Sequence, residues 1–256
     1  MKIVAISNQK GGVGKTTSTV NIGAALKILK KKVLLIDLDP QANLTVGLGY
    51  NMMDLAEKKQ TIYNVFREEI KIKDAIIKRK DFDIVTSCPY LAAIDVEMAK
   101  VVGKELILKD SLASLKSYDY VLIDCPPDLG VLSAIAFTAA NHIFIPSEPE
   151  FFSTTGIELQ ISKALEVRKL NRKLEITGIF ITQFESHLVL NKAAIELLEN
   201  TYKADLMKTR IRKTTTIGRS QSAGQTIFEY DPKGHGAEDY MNLAKEILQK
   251  IDRRKK

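Results

Sequence analysis

Apolar residues in this chain come in short unbroken runs separated by longer amphipathic stretches. The runs at Lys2–Ser7, Val33–Leu38, Phe82–Ser87, Tyr120–Asp124, His142–Pro146 and Thr177–Thr182 have strand length, and several show no polar alternation. A parallel strand covered on both faces reads in this way. Between the runs, Lys15–Leu29, a long stretch around Leu91–Lys116, Leu132–Ala140, Thr155–Leu170, Leu190–Asn200 and Ala237–Ile251 read as helices. Alternation of strand and helix predicts an α/β fold: a doubly wound, mostly parallel sheet flanked by helices on both faces. Each crossover is expected to be right-handed, which puts a ligand site at the carboxyl ends of the strands.

The first strand runs straight into Lys-Gly-Gly-Val-Gly-Lys-Thr-Thr at residues 10–17. A glycine-rich turn that opens a helix is a P-loop, in which backbone N–H groups converge on anionic oxygens before a positive helix end. Gly11, Gly12, Val13, Gly14, Lys15, Thr16 and Thr17 are therefore the candidate phosphate cradle. Lys15 can reach the β- and γ-phosphates, and the Thr16 hydroxyl can ligate Mg²⁺. One position departs from the plain P-loop spacing. Where the first glycine should stand the chain has Gln9, and a second lysine, Lys10, guards the entrance. Lys10 lies on the wrong side of the turn to fold easily onto its own nucleotide. It reads as a side chain reaching across a dimer interface to the partner's phosphates, with a solvated loop lysine as the alternative.

Lys10-Gly-Gly-Val-Gly-Lys15-Thr-Thr resembles the deviant Walker A motif of the ParA/MinD ATPases, and the likeness extends downstream. Val33-Leu34-Leu35-Ile36-Asp37-Leu38-Asp39-Pro40-Gln41-Ala42-Asn43 resembles the second acidic motif of ParA/Soj proteins. Val121-Leu122-Ile123-Asp124-Cys125-Pro126-Pro127 resembles their Walker B strand, and Tyr230-Asp231-Pro232 with Gly236-Ala237-Glu238 their closing signature. The similarity to ParA/Soj-type partition ATPases runs from residue 1 to about 250. It implies a single deviant Walker A P-loop ATPase domain over residues 1–256, with ATP and Mg²⁺ as cofactors. By the same resemblance Lys10 and Lys15 neutralise phosphate charge, Asp39 orients the attacking water, and Thr16, Asp37 and Asp124 form the metal shell. For Asp37 the residues leave a second reading open, that of a carboxylate capping the turn at Pro40. The resemblance further implies a homodimer formed on ATP, non-specific DNA binding, chromosome or plasmid partition, and hydrolysis stimulated by a ParB-like protein. Starting at the first strand, the chain is similar to the short, Soj-type form.

Some family positions differ. The base is expected between Thr182-Gln183-Phe184-Glu185 and roughly Ile211–Gly218, yet His187 stands where relatives often have arginine, and Ile211-Arg212-Lys213 replaces an Ile-Pro-Arg. A guanine-reading Asn-Lys-x-Asp is missing, since Asn191-Lys192-Ala193-Ala194 fails at its fourth position, and ATP is the expected nucleotide. Glu148-Pro-Glu150 follows the fifth strand, and Glu150 is expected to start a helix as an acid that its dipole favours, with a contact to ribose or the opposing subunit as the alternative.

Charge adds a partner class. The 38 Lys and Arg exceed the 31 acids by a modest +7, but residues 203–219 concentrate six cations against Asp205 alone. Such a basic surface favours sequence-independent phosphate contacts. By resemblance to Soj-like proteins, Arg210, Arg212, Lys213 and Arg219 are the DNA-binding candidates.

Two cysteines imply a reducing compartment, and the N-terminus leaves no room for a signal peptide, so a cytoplasmic, nucleoid-associated protein is expected. The nearly apolar stretch Val131 to Ala140 is too short to span a bilayer. The C-terminal stripe from Tyr240 to Ile251 reads as core packing, so no stable membrane association is expected. Three other readings share the P-loop: a MinD-like membrane cycler, an iron–sulfur reductase using Cys88 and Cys125, and a positioning ATPase for a protein cargo.

Overall fold

The computed structural model describes residues 1–150 and 153–253. Its strands are β1 (Lys2–Ile6), β2 (Val33–Asp37), β3 (Ile76–Lys78), β4 (Asp83–Val85), β5 (Tyr120–Asp124), β6 (His142–Ser147), β7 (Glu175–Phe184) and β8 (Leu206–Arg212). They form one sheet in the order β3-β4-β2-β5-β1-β6-β7-β8. Every described pairing is parallel except the β3–β4 edge pair. The first half of the chain supplies α1 (Lys15–Ile28), α2 (Asn43–Gly47), α3 (Met52–Glu57), α4 (Ile62–Phe66), α5 (Ile94–Glu97) and α6 (Ile107–Ala113). The second half supplies α7 (Val131–Ala139), α8 (Ser153–Val167), α9 (Val189–Tyr202), α10 (Thr215–Ser222), α11 (Ile227–Tyr230) and α12 (His235–Arg253).

Two apolar cores lie on opposite faces of the sheet, as strand geometry dictates, since neighbouring side chains point to opposite sides. Ile3 and Ala5 of β1 join Leu34 and Ile36 of β2 in a core closed by α4, α6, α7 and α8. Val4 and Ile6 join Val33 and Leu35 in the other, closed by α1 and α12. Burial on both faces explains why the central strands read as continuous apolar runs. The apolar stripe of α12 is part of that second core: Tyr240, Leu243, Ala244, Ile247 and Ile251 are all buried. Among the described residues no helix is long and apolar enough to cross a membrane.

The structure departs from the sequence reading in the short helices α2, α3, α4, α10 and α11, in one long helix and at two sheet edges. The expected long helix at Leu91–Lys116 is broken into a 3₁₀ turn at Pro89–Ala93, α5, a second 3₁₀ turn at Lys104–Leu106, and α6. Gly103 sits between the halves at φ 79, a conformation that ends a right-handed helix. Two edge strands, β3 and β8, were not expected. Within β8 only Met207 and Ile211 are buried, with cations between them, so a stretch read as a basic surface segment is in fact an edge strand. Its outer N–H groups are capped by carboxylates of α12. Glu246 accepts from Lys208 N and Thr209 N at 2.8 and 2.9 Å, and Asp239 accepts from Arg212 N at 2.9 Å. These contacts cover an edge that would otherwise offer itself to another strand.

Candidate nucleotide site

The loop between β1 and α1 carries the geometry an anion requires. Gly12 and Gly14 take φ of 78 and 83, and a Cβ at Gly11 or Gly12 would meet nothing, so that wall of the loop is open. Gly14 caps α1 without a side-chain hydrogen bond, and the first turn holds no acid. The first N–H groups of α1 are thus left to a ligand, with the positive end of the helix behind them. The loop is pinned from β7: Thr182 Oγ1 donates to Val13 O at 2.9 Å and Gln183 Nε2 to Gly12 O at 2.9 Å. Gln183 itself sits at φ 52. From the other side Gln221 Nε2 on α10 donates to Thr17 Oγ1 at 2.7 Å.

Acidic residues gather at the ends of two neighbouring strands. Asp37 and Asp124 are register partners on β2 and β5 and both are buried. Thr16 Oγ1 donates to Asp124 Oδ2 at 2.7 Å, joining the P-loop hydroxyl to the β5 carboxylate. Burial, followed by the charge of Asp37, holds the Asp124 carboxyl well above the usual range. Burial likewise pushes Asp37 up to about 7, against hydrogen bonds from Thr45 and Asp39 that favour its charge. Asp39 is raised by burial too, with the Gln41 N–H and Lys15 opposing. Lys15, which donates to Lys10 O at 3.2 Å, is lowered by burial despite the charges of Asp124 and Asp39.

These carboxylates have different tasks. Both oxygens of Asp37 are taken by protein donors: Oδ2 by the N–H and hydroxyl of Thr45 at 2.9 and 2.7 Å, Oδ1 by Asp39 N at 3.2 Å. Asp37 therefore anchors the loop into α2, the capping task that the sequence left open for it. Ser87 extends the anchor by donating its hydroxyl to Asp39 O and its N–H to Thr45 Oγ1. No group of three or more His, Cys, Asp or Glu is placed to hold a metal among the described residues. Thr16 and Asp124 with phosphate oxygens make the sparse donor set that Mg²⁺ accepts, and two adjacent buried carboxylates gain from a cation. An iron–sulfur cluster does not fit, because Cys88 and Cys125 are both fully buried and cannot meet a partner's thiols.

Lys10 lies on the outer side of the loop. Its Nζ donates to Glu148 Oε2 at 2.6 Å and to Glu150 Oε2 at 2.8 Å. Burial works against its charge, but the two carboxylates outweigh that and raise its pKa. Glu148 also accepts from Gln183 Nε2, so the lysine is wired to the loop after β7. Glu150 is therefore an ion-pair partner before α8. Asn8 fixes the loop entrance, accepting from Lys10 N at 3.1 Å and donating to Pro146 O at 2.7 Å. Asn8, Thr45, Ser87 and Gln221 were not singled out from the sequence. Asn8 and Thr45 are local to motifs; Ser87 and Gln221 come from distant segments and carry no local signal.

The four basic candidates follow β8 into α10. Arg210 pairs with Glu199 at 3.0 Å and lies over the Phe184 ring. Arg212 is held by Asp239 and Glu238 at 2.6 and 2.7 Å. Lys213 pairs with Glu185 at 3.1 Å. Arg219, exposed on α10, makes no ion pair among the described residues.

A glycine loop ahead of a helix, with a buried lysine and strand-end aspartates around it, defines a P-loop nucleotide-binding protein. The AAA_31 family model, an AAA domain, matches residues 1–176. The chain is 38% identical to the sporulation initiation inhibitor protein Soj of Bacillus subtilis, over 96% of this chain and 98% of that protein. It is 34% identical to the chromosome partitioning protein ParA of Caulobacter vibrioides, over 97% and 94%. A putative plasmid partition protein of Borrelia burgdorferi, solved bound to AMPPNP, superposes with a TM-score of 0.79 at 29% identity, covering 99% of each chain. Cobyrinic acid a,c-diamide synthase of Mycobacterium smegmatis, solved with ADP and magnesium, gives 0.86 at 28% identity over 98% of this chain and 96% of that one. The chain belongs to the Soj/ParA family of partition ATPases.

Proposed function

We propose that the chain, as one P-loop domain over residues 1–256, is an ATP-driven dimerisation switch that holds DNA without regard to sequence and serves chromosome or plasmid partition. ATP binds in the loop of Gly11, Gly12, Val13, Gly14, Lys15, Thr16 and Thr17. Lys15 offsets charge on the β- and γ-phosphates. Mg²⁺, held by Thr16 and Asp124 with Asp37 supporting the shell, would supply further neutralisation at the phosphates. Asp39 orients the attacking water, and phosphoryl transfer then depends on positioning and charge more than on covalent chemistry. Lys10 leaves its own chain's glutamates and engages the partner's γ-phosphate. That contact exists only while ATP is bound, and such a difference is what lets a nucleotide shift an assembly equilibrium. Pairing doubles the basic surface, so that weak phosphate contacts add into one avid site. A ParB-like protein stimulates hydrolysis and resets the cycle, which takes place on the nucleoid in the cytoplasm.

The observation that carries this reading is the 2.7 Å hydrogen bond between Thr16 and Asp124, which brings the P-loop hydroxyl onto the buried carboxylate of the Walker B strand. Retention on random duplex DNA, with ATP, ADP or no nucleotide across a salt series, tests it, with Lys15→Ala alongside. ATP-dependent, salt-sensitive retention that Lys15→Ala abolishes is expected. Equal retention without nucleotide, or none at all, overturns it.

A further inference from the structure

At the end of the sheet away from the P-loop, β8 and α12 enclose an open groove of about 420 Å³. One wall carries Lys203 and Lys208, the other Lys245, Lys250 and Arg253, with Glu246 as the only acid lining it among the described residues. The Glu246 carboxylate is already occupied by two strand N–H groups. Lys250 anchors the groove floor, donating to Ala204 O and Asp205 O at 3.1 Å each. Lys203, Lys208, Lys245 and Arg253 are exposed and make no ion pair among the described residues. This is the reverse of the position at the other end of β8, where Arg210, Arg212 and Lys213 are each held by a carboxylate.

We propose that this groove is a docking site for the phosphodiester backbone of duplex DNA. The inference rests on the DNA-binding reading above and says where on the chain the contact is made. Lys245 and Arg253 lie two helical repeats of four apart on one face of α12, roughly 12 Å along the axis. Over that length duplex DNA presents about seven charges. Among the described residues the lining includes no aromatic ring on which a single strand would stack its bases. Nor, among the described residues, does it include a bulky exposed apolar anchor for a lipid surface. Contacts of lysine and arginine to phosphates position a duplex without reading its sequence. Lys208, the lining residue of β8 nearest the nucleotide end, stands four residues before Arg212, roughly 13 Å along the strand. ATP cannot touch the groove. A single copy therefore binds DNA weakly whatever the nucleotide, and ATP acts by joining two grooves in one dimer.

The test is fluorescence anisotropy of a labelled random duplex titrated with the full chain, with ATP, ADP or no nucleotide, at several salt concentrations. The groove variant combines Lys203→Gln, Lys208→Gln and Lys245→Gln. A charge-matched control combines Lys58→Gln, Lys71→Gln and Lys73→Gln, exposed lysines outside the groove lining. The groove variant is expected to lose affinity about tenfold or more with ATP, and its salt slope to fall by about 2 to 3 per protomer, while ATP hydrolysis persists. The control stays within about twofold of the parent. If the parent binds but the groove variant matches it, the groove is wrong and the DNA reading stands. If the parent binds no DNA with any nucleotide, both fall. If both variants lose affinity equally, the contact is diffuse and the groove is wrong.

Discussion

Lys10 and Glu148, 138 residues apart in the chain, close an ion pair of 2.6 Å on the outer side of the P-loop. Glu150 adds a second contact at 2.8 Å, so the lysine proposed to act across an interface is held by two carboxylates of its own chain. Both contacts are partly open to water, with Lys10 44% and Glu150 57% exposed. Pairs of this kind are worth about 0.2–1 kcal/mol each. A partner's triphosphate carries more charge than either glutamate and can displace them. Glu148→Gln with Glu150→Gln should therefore lower the ATP concentration needed for dimerisation by about two- to tenfold, read by light scattering after size exclusion. Lys10→Ala should abolish the ATP-induced dimer while the monomer still binds ATP. A Lys10→Ala chain that dimerises normally would refute the cross-interface role.

Asp39 is buried beside Lys15, with its carboxylate accepting from Gln41 N at 2.9 Å and its carbonyl from Ser87. Among the described residues that leaves an oxygen free to orient water at the mouth of the loop. Asp39→Ala should cut hydrolysis by about 10²-fold or more while ATP binding and the ATP-induced dimer persist. Phosphate release and light scattering on the same sample separate the two effects. Loss of nucleotide binding would instead make Asp39 part of the cradle.

The central strands and the P-loop are legible in the sequence because their causes are local. Burial of β1, β2, β5 and β6 on both faces demands unbroken apolar runs, and the glycines needed at φ 78 and 83 stand next to the lysine they serve. The edges are not legible by the same rule. β8 buries only Met207 and Ile211, so its cations hide a strand whose N–H groups are satisfied by glutamate and aspartate of a helix more than 25 residues on. The site's outer shell is harder still. The Gln221–Thr17 and Lys10–Glu148 contacts span 204 and 138 residues, and only the sheet order brings their segments together. The tight packing of one strand glycine belongs with them.

Gly178 in β7 is that glycine. A Cβ there would stand 2.9 Å from both Met207 Sδ and Phe144 Cε1, inside any normal contact. The Phe144 ring is fully buried. Gly178→Ala should destabilise the fold by about 1–3 kcal/mol, the usual cost of overpacking. Urea unfolding followed by circular dichroism gives the number. An unchanged midpoint would mean that Met207 and the Phe144 ring both yield the space.

Thr226 and Glu229 form a capping box on α11, with Glu229 also reaching Lys80 at 2.6 Å. Thr226→Ala removes the buried hydroxyl that accepts from Glu229 N and should cost about 1 kcal/mol. Glu229→Gln keeps an acceptor for Thr226 N but loses the charge. For Glu229, burial works to raise the pKa, but the Lys80 pair and the Thr226 bonds outweigh it and hold the carboxyl below 4.5. A depressed carboxylate stabilises the fold above its unfolded pKa, and that contribution fades as pH falls through the lower folded value. The stability gap between the parent and Glu229→Gln should thus be constant near neutrality and close below about pH 4.5, whereas the Thr226→Ala gap keeps a part independent of pH. Urea midpoints at pH 7 and in steps down to pH 3.5 measure both. A Glu229→Gln gap that widened toward acid would show that burial, and not the Lys80 pair, controls this carboxyl.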